Sequence, residues 1–466
     1  MLWWWKFCSI EESMPKTPLS TSLSFPTAER AYAALESWSR KAEELVRGRL
    51  PKLPIADRWR SLPLPLVGFV VAFLLLFLRS PQLFLHAEFY IEDGPEFFGK
   101  AYNLGPISLF RDYAGYFHAY PRLVSQLATF LPLAYAPRFL AFGAIAAQAW
   151  SAAFFLSDRM ARQIPSLKVR AILASIIVAY PYQDDMFANV AHSQWYLSIL
   201  GASIVFADPP STRIARIVDY LAIAMIGFTG PFSILLAPAA WVMARGNRHR
   251  TIVAAILTVN AIVTFWSIQI HPRQQGHLGR FALFLQVMSH QVVTASLQGE
   301  KRVFDMHREG DFSYFFSWKD FGITLAMFGV FLYAFVKGPE LLKFLIVLGF
   351  FMFISASLTG GSWIVLGNPG VGERYFFVLG FAFLFAIIRL RQETPSASLR
   401  WVTRLCGLMF LVGIVQNWKM PDPDPHFDYL SQLAKYEGAP RGVTISIDTP
   451  IGRWTERHWV TKLVKR

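Results

Sequence analysis

Two stretches of this sequence gather side chains able to move protons and hold anions. The first reads His86-Ala-Glu-Phe-Tyr-Ile-Glu92-Asp93-Gly94-Pro95-Glu96 and continues to Gly105. Pro95 suits a first helical position and Gly105 a C-terminal stop, with Phe97, Phe98, Ala101 and Tyr102 as an apolar stripe between them. A short surface helix is therefore predicted just after the acidic pair. Glu92 and Asp93 at that start either complement the helix dipole or supply a catalytic base, its pKa adjusted by its acidic neighbour and by burial. Downstream, Asp112-Tyr-Ala-Gly-Tyr-Phe-His118-Ala-Tyr-Pro-Arg122 sets His118 and Arg122 among aromatic rings. Such rings stack on a sugar or form the aromatic belt of a membrane interface.

The second stretch runs from Tyr180 to Trp195. On a helix its Asp185, Asn189 and His192 fall at i, i+4 and i+7, a polar stripe that either faces a cavity or is solvated at a helix end. Asp93 together with Asp185 offers hard carboxylate oxygens to a divalent cation such as Mg or Mn, although no spacing in the sequence fixes such a site. Arginines follow at Arg273, Arg280, Arg302 and Arg308, then at Glu373-Arg374-Tyr375 immediately before an apolar run. An arginine at a membrane boundary grips a phosphate through a bidentate contact or snorkels to headgroups. Gly-rich phosphate loops, zinc-protease helices and nucleophile elbows are absent. Cys8 and Cys406 are the only cysteines, too few for a disulfide framework or a zinc site.

The elements that must position these residues are membrane helices. Of the 466 residues 54% are hydrophobic, and a mean hydropathy of +0.36 leaves more apolar surface than one soluble core can bury. An all-α polytopic chain of about eleven spans is predicted, at 62–78, 139–156, 171–182, 195–206, 217–228, 232–244, 252–270, 321–336, 341–357, 375–388 and 402–415. Residues 1–60 form a cytoplasmic segment with an amphipathic helix at 27–47 and no cleaved signal peptide. Residues 61–415 form the membrane domain and 416–466 a short external tail. A net charge of +14 sits in short clusters between spans, the pattern of cytoplasmic loops and not of a nucleic-acid binder. That rule places residues 81–121 outside as an unusually long loop, with 124–136 as a re-entrant or surface helix. It gathers His86, His118, His192, His271, His277, His290, His307, His426 and His458 on the outer side, leaving His249 inside. Residues 281–297 are apolar enough to cross, which would reverse everything after them.

A cytoplasmic N-terminus, one span, a long external loop with an acidic pair and surface helix, and many further spans resemble the class C (GT-C) membrane glycosyltransferases. The likeness rests on Glu92-Asp93-Gly94, on Tyr113 to His118 with Pro121-Arg122, and on Glu373-Arg374-Tyr375. It implies a polyprenyl-phosphate sugar donor and a glycan or glycolipid acceptor from the cell envelope, handled at the outer face of the plasma membrane. It also implies that Asp93, or Glu92 in another register, activates the acceptor hydroxyl, and that Arg374 contacts the donor phosphate. His118, Arg122, Asp185, His192, Arg273 and Arg280 are the further substrate candidates. The tail is far smaller than the folded C-terminal domain of better-known members. A polysaccharide polymerase or ligase is the rival reading, and a transporter a more distant one.

Overall fold

The computed structural model describes residues 63–466 apart from 272–278, 313–314, 359–362, 371, 421–427 and 450–458. The helix expected at 27–47, Arg273, His277, His426 and His458 lie outside the described residues.

The chain is mostly helical. Helix α1 (Leu64–Arg79) is followed by α2 (Gly99–Leu104), α3 (Ala119–Ala128), α4 (Ala136–Phe154), α5 (Leu167–Ala179) and α6 (Ser193–Phe206). Next come α7 (Arg213–Thr229), α8 (Ser233–Met243), α9 (Arg248–Ile270) and α10 (Phe281–Val287), the last continued by a π-type stretch at Met288–Thr294 and a turn at Ala295–Gln298. The remaining helices are α11 (Glu300–Arg308), α12 (Trp318–Lys337), α13 (Glu340–Leu358), α14 (Glu373–Glu393), α15 (Ala397–Gln416) and α16 (Tyr429–Glu437). An antiparallel pair, β1 (Thr444–Thr449) with β2 (Trp459–Val464), closes the chain.

Helices stand at all eleven places where spans are predicted. Among the described residues, α9, α12, α13 and α15 are both long and apolar enough to cross a bilayer. These four have 19 to 23 residues, matching a hydrocarbon core of about 30 Å at about 1.5 Å per residue. Burial differs sharply among the helices. Every residue of α6 is buried, whereas only 11% of the apolar window of α15 is. Leu408, Leu411 and Val415 on α15 are 58%, 59% and 79% exposed, a stripe that water disfavours and lipid tails accept. Where helices do touch, small residues let backbones approach, as in lipid-embedded bundles. The face of α4 that meets its neighbours is rich in alanine, with Ala144, Ala147, Ala149 and Ala152 buried. Gly349 of α13 lies so close to the Leu379 backbone of α14 that a Cβ there would sit 2.8 Å from it.

The loops sort onto two faces. On the upper face the Arg79 guanidinium donates to Val178 O, Asn417 O and Trp418 O at 2.7, 3.0 and 2.9 Å. It thereby satisfies carbonyls at the ends of α5 and α15, which a helix leaves without partners. On the lower face Arg159 donates to Asp208 O at 2.8 Å, Arg250 to Ala207 O at 3.1 Å, and Leu341 N–H to Gln163 Oε1 at 3.2 Å. Asp219 there accepts both Arg159 nitrogens, at 3.0 and 2.6 Å, and lies 3.1 Å from His249 Nε2. The apolar stretch at 281–297 does not cross between the faces. Near its start Gln286 donates to Phe315 O, just ahead of α12. At its far end Glu300 N–H bonds Pro181 O at 3.1 Å on the upper face.

Three local expectations change. The helix expected at 124–136 begins earlier, as α3 at Ala119, because Pro121 falls in its first turn, where a missing N–H costs nothing. The stripe of Asp185, Asn189 and His192 is not helical. Tyr180 precedes Pro181 and is held out of the α region (ψ 126°), and Ala188 has a positive φ of 54°, so residues 180–192 run as turns. The tail is also built into the membrane domain, through its two strands and α16, and does not simply hang outside it.

Candidate functional site

The first long loop builds its end of the site in one continuous ramp. A 3-10 turn at Ile91–Asp93 leads to a π-type turn at Gly94–Phe98 and then α2, which stops at Gly105 with φ 66°. Asp93 stands at the entry to this helix but makes no side-chain cap. Its carboxylate instead accepts Val190 N–H at 3.0 Å and Ala191 N–H at 2.9 Å, pinning the 180–192 loop to the first loop. The group is 2% exposed. Desolvation outweighs the two backbone donors, and with the neighbouring Glu92 charge it pushes the Asp93 carboxyl up to about 8. Glu92 projects differently: its Oε2 is buried and has no hydrogen-bond partner among the described residues.

The 180–192 loop and the start of α14 supply the rest. Asp185 Oδ2 lies 2.5 Å from Arg374 Nη1, and the Asp185 N–H donates to Glu373 Oε2 at 3.2 Å. His192 Nδ1 is 2.7 Å from the Asp185 carbonyl and 3.7 Å from its carboxylate, which holds the ring against this loop. The Asn189 amide sits 2.9 Å from the same nitrogen. Burial alone would raise the Asp185 carboxyl, but Arg374 and His192 outweigh it and hold it below the usual carboxylate value. The Tyr90 hydroxyl is driven well above its ordinary range, first by burial and then by the negative field of Asp185, Asp184, Glu92 and Glu373. Arg374, with a quarter of its side chain exposed, lies within electrostatic reach of Glu92 and stacks over Tyr375 at 4.9 Å. Residues nearly three hundred positions apart therefore meet: Glu92, Asp184, Asp185, His192, Glu373 and Arg374.

A second cluster adjoins α2. His118 has a left-handed φ of 52° and stacks on Tyr116 at 4.2 Å. Arg122 lies against the Phe97 ring at 5.4 Å and donates from Nε to Phe117 O at 2.8 Å. It is 1% exposed, and its Nη1 and Nη2 have no hydrogen-bond partner among the described residues. Burial lowers its pKa to about 10, which leaves it a cation at neutral pH. Asp112 at the edge of this cluster pairs with His271 at 2.8 Å.

Of the residues singled out in the sequence, Glu92, Asp93, Asp185, His192 and Arg374 come together, and His118 and Arg122 form the neighbouring cluster. Arg280 is exposed at the start of α10, and Arg273 lies outside the described residues. For a cation held by Asp93 and Asp185, the geometry gives both Asp93 oxygens to backbone N–H groups and one Asp185 oxygen to Arg374. Among the described residues no group of three or more His, Cys, Asp or Glu is disposed around a metal position. Sequence reasoning missed Asp184, Glu373 and Tyr90 as members of the cluster. The signal for Glu373 was present, since it precedes Arg374 at the start of a helix. No protein family, curated protein or solved structure matches this chain.

Proposed function

We propose that this chain is a GT-C-type membrane glycosyltransferase that moves a sugar from a polyprenyl-phosphate donor to a glycan or glycolipid acceptor at the upper face. The observation that carries the reading is a carboxylate oxygen of Glu92, buried without a hydrogen bond, within the field of the part-exposed Arg374. An acid and a cation so placed are what glycosyl transfer from a phosphate requires. Glu92 takes the proton of the acceptor hydroxyl as its oxygen bonds the anomeric carbon. The bond from that carbon to the donor phosphate breaks, and its electron pair leaves on the phosphate oxygen, where Arg374 offsets the growing charge. Arg374 carries more N–H donors than Asp185 uses, so one edge of its fork is available to a phosphate. Asp93, both oxygens already engaged, is a positioning residue that joins the two loops.

Basic residues on the lower loops, with the eleven helices taken as spans, support an upper face outside the cytoplasm of a plasma membrane. Arg122, a buried cation with two unmatched nitrogens beside aromatic rings, is proposed as a further donor contact, with His118 next to it. With Arg374 supplying the charge, transfer proceeds in the presence of a chelator.

The test is sugar transfer from a polyprenyl-phosphate donor by the purified full chain. Glu92→Gln is expected to lower kcat by roughly 10² to 10⁴ with donor binding kept. Arg374→Gln is expected to weaken donor binding by about ten- to a hundredfold, the value of one charged hydrogen bond. Full activity in a well-expressed Glu92→Gln protein would reject the base and favour a polymerase or ligase.

A further inference from the structure

A groove on the lipid-facing side, remote from the candidate site, runs between α5, α14 and α15. Its volume is about 570 Å³, in the range of pockets that enclose a small ligand. Ile172, Ile176, Leu384, Phe410, Leu411 and Ile414 make its walls apolar along most of its length. At one end the lining changes to Lys168, Arg391 and Arg404. All three are exposed.

The dimensions select the occupant. From Lys168 to Ala179 on α5, and from Thr403 to Ile414 on α15, the groove follows twelve residues of helix, a rise of about 16 Å from first to last. That is close to half of a hydrocarbon core of about 30 Å, the depth of a single leaflet. The cationic end belongs to the lower face, since Lys168 opens α5 while Val178 near its far end meets Arg79 on the upper face. Arg374 and Arg391 lie at opposite ends of α14, so the cationic end is about 25 Å from the donor-phosphate position. Gly407 leaves the groove open: a Cβ there meets nothing within 4 Å.

We propose that this groove holds one anionic phospholipid of the lower leaflet, an acyl chain lying between α5 and α15 and its phosphate held by Lys168, Arg391 and Arg404. A helix as little buried as α15 is then completed by lipid where it lacks protein neighbours. Charge complementarity at the end and apolarity along the leaflet-deep wall call for this chemistry, and the inference stands apart from the catalytic reading.

Native mass spectrometry of the full chain, titrated with phosphatidylglycerol or phosphatidylcholine, tests it. One tightly retained phosphatidylglycerol is expected, in preference to phosphatidylcholine. The triple variant Lys168→Gln, Arg391→Gln, Arg404→Gln should lower that preference by about ten- to a hundredfold, each basic residue near an anionic headgroup contributing a factor of about five before screening. Gly407→Phe should abolish retention by filling the groove. Equal retention of both lipids by the parent chain, retention unchanged in Gly407→Phe, or displacement by a polyprenyl phosphate at equal concentration would each overturn the proposal. If the triple variant fails to fold, Gly407→Phe in the parent background decides alone.

Discussion

An aspartic acid normally ionises near 3.8, and Asp93 is pushed up to about 8 by its burial, so the folded chain holds a proton there that the unfolded chain releases. The stability from this group is fully present below about pH 4 and is lost as pH rises toward about 8. Asp93→Asn removes the titration, and thermal unfolding of both proteins from about pH 5 to about pH 8.5 should show the parent losing more stability across that window. Parallel curves would mean that Asp93 is ionised in the fold. Arg79 acts through packing instead, bonded to three carbonyls and lying over the rings of Phe187 and Trp418 at 5.6 and 5.2 Å. Arg79→Met should destabilise the chain by roughly 3 kcal/mol in a reversible unfolding assay, because it leaves buried carbonyls without donors. The sequence exposes the chemistry of Glu92 and Arg374 because acids and arginines beside apolar runs are conspicuous. It does not reveal Arg79, whose partners are backbone groups from helices far along the chain and leave no trace in side-chain types.

At the level of elements, the C-terminal strands buttress the first long loop. Asn103 at the end of α2 donates to Lys462 O at 2.7 Å and accepts Val464 N–H at 2.9 Å. Ile447 and Leu463 join Phe89, Phe98 and Tyr102 in one apolar cluster, while Tyr429 donates to Leu133 O at 2.8 Å. Asn103→Ala removes both bonds to β2 and should speed amide exchange in 99–104 and 459–464 by about tenfold, one hydrogen bond being worth about 1.5 kcal/mol. Exchange unchanged in both segments would show that the apolar cluster alone holds the sheet. Hydropathy locates the long helices well, since an apolar run of about twenty residues has few other uses. Short β1 and β2 were not legible, because their alternating pattern spans six residues each and their register depends on a partner. The turns at 180–192 were misread because three polar residues at helical spacing also converge when a loop wraps round one backbone carbonyl, as Asn189 and His192 do at Asp185.

Across the whole molecule, helices with exposed leucine and valine stripes and polar loops segregated to two faces describe a chain solvated by lipid. Its orientation is open to direct measurement. In a Cys8→Ser, Cys406→Ala background, Lys435→Cys on α16 should react with an impermeant maleimide on intact cells. Arg245→Cys after α8 should react only once the membrane is broken. The reverse pattern would put the candidate site in the cytoplasm and remove the basis for a donor presented outside. The bonds of Arg79 also set a timetable. The guanidinium emerges with the first helix, yet two of its acceptors arrive 338 and 339 residues later. At roughly 5 to 20 residues per second that is an interval of about 20 to 70 s. Until then Val178 O is the one carbonyl of the three within the synthesised chain, and a product truncated before Asn417 leaves two of the guanidinium's three bonds unmade.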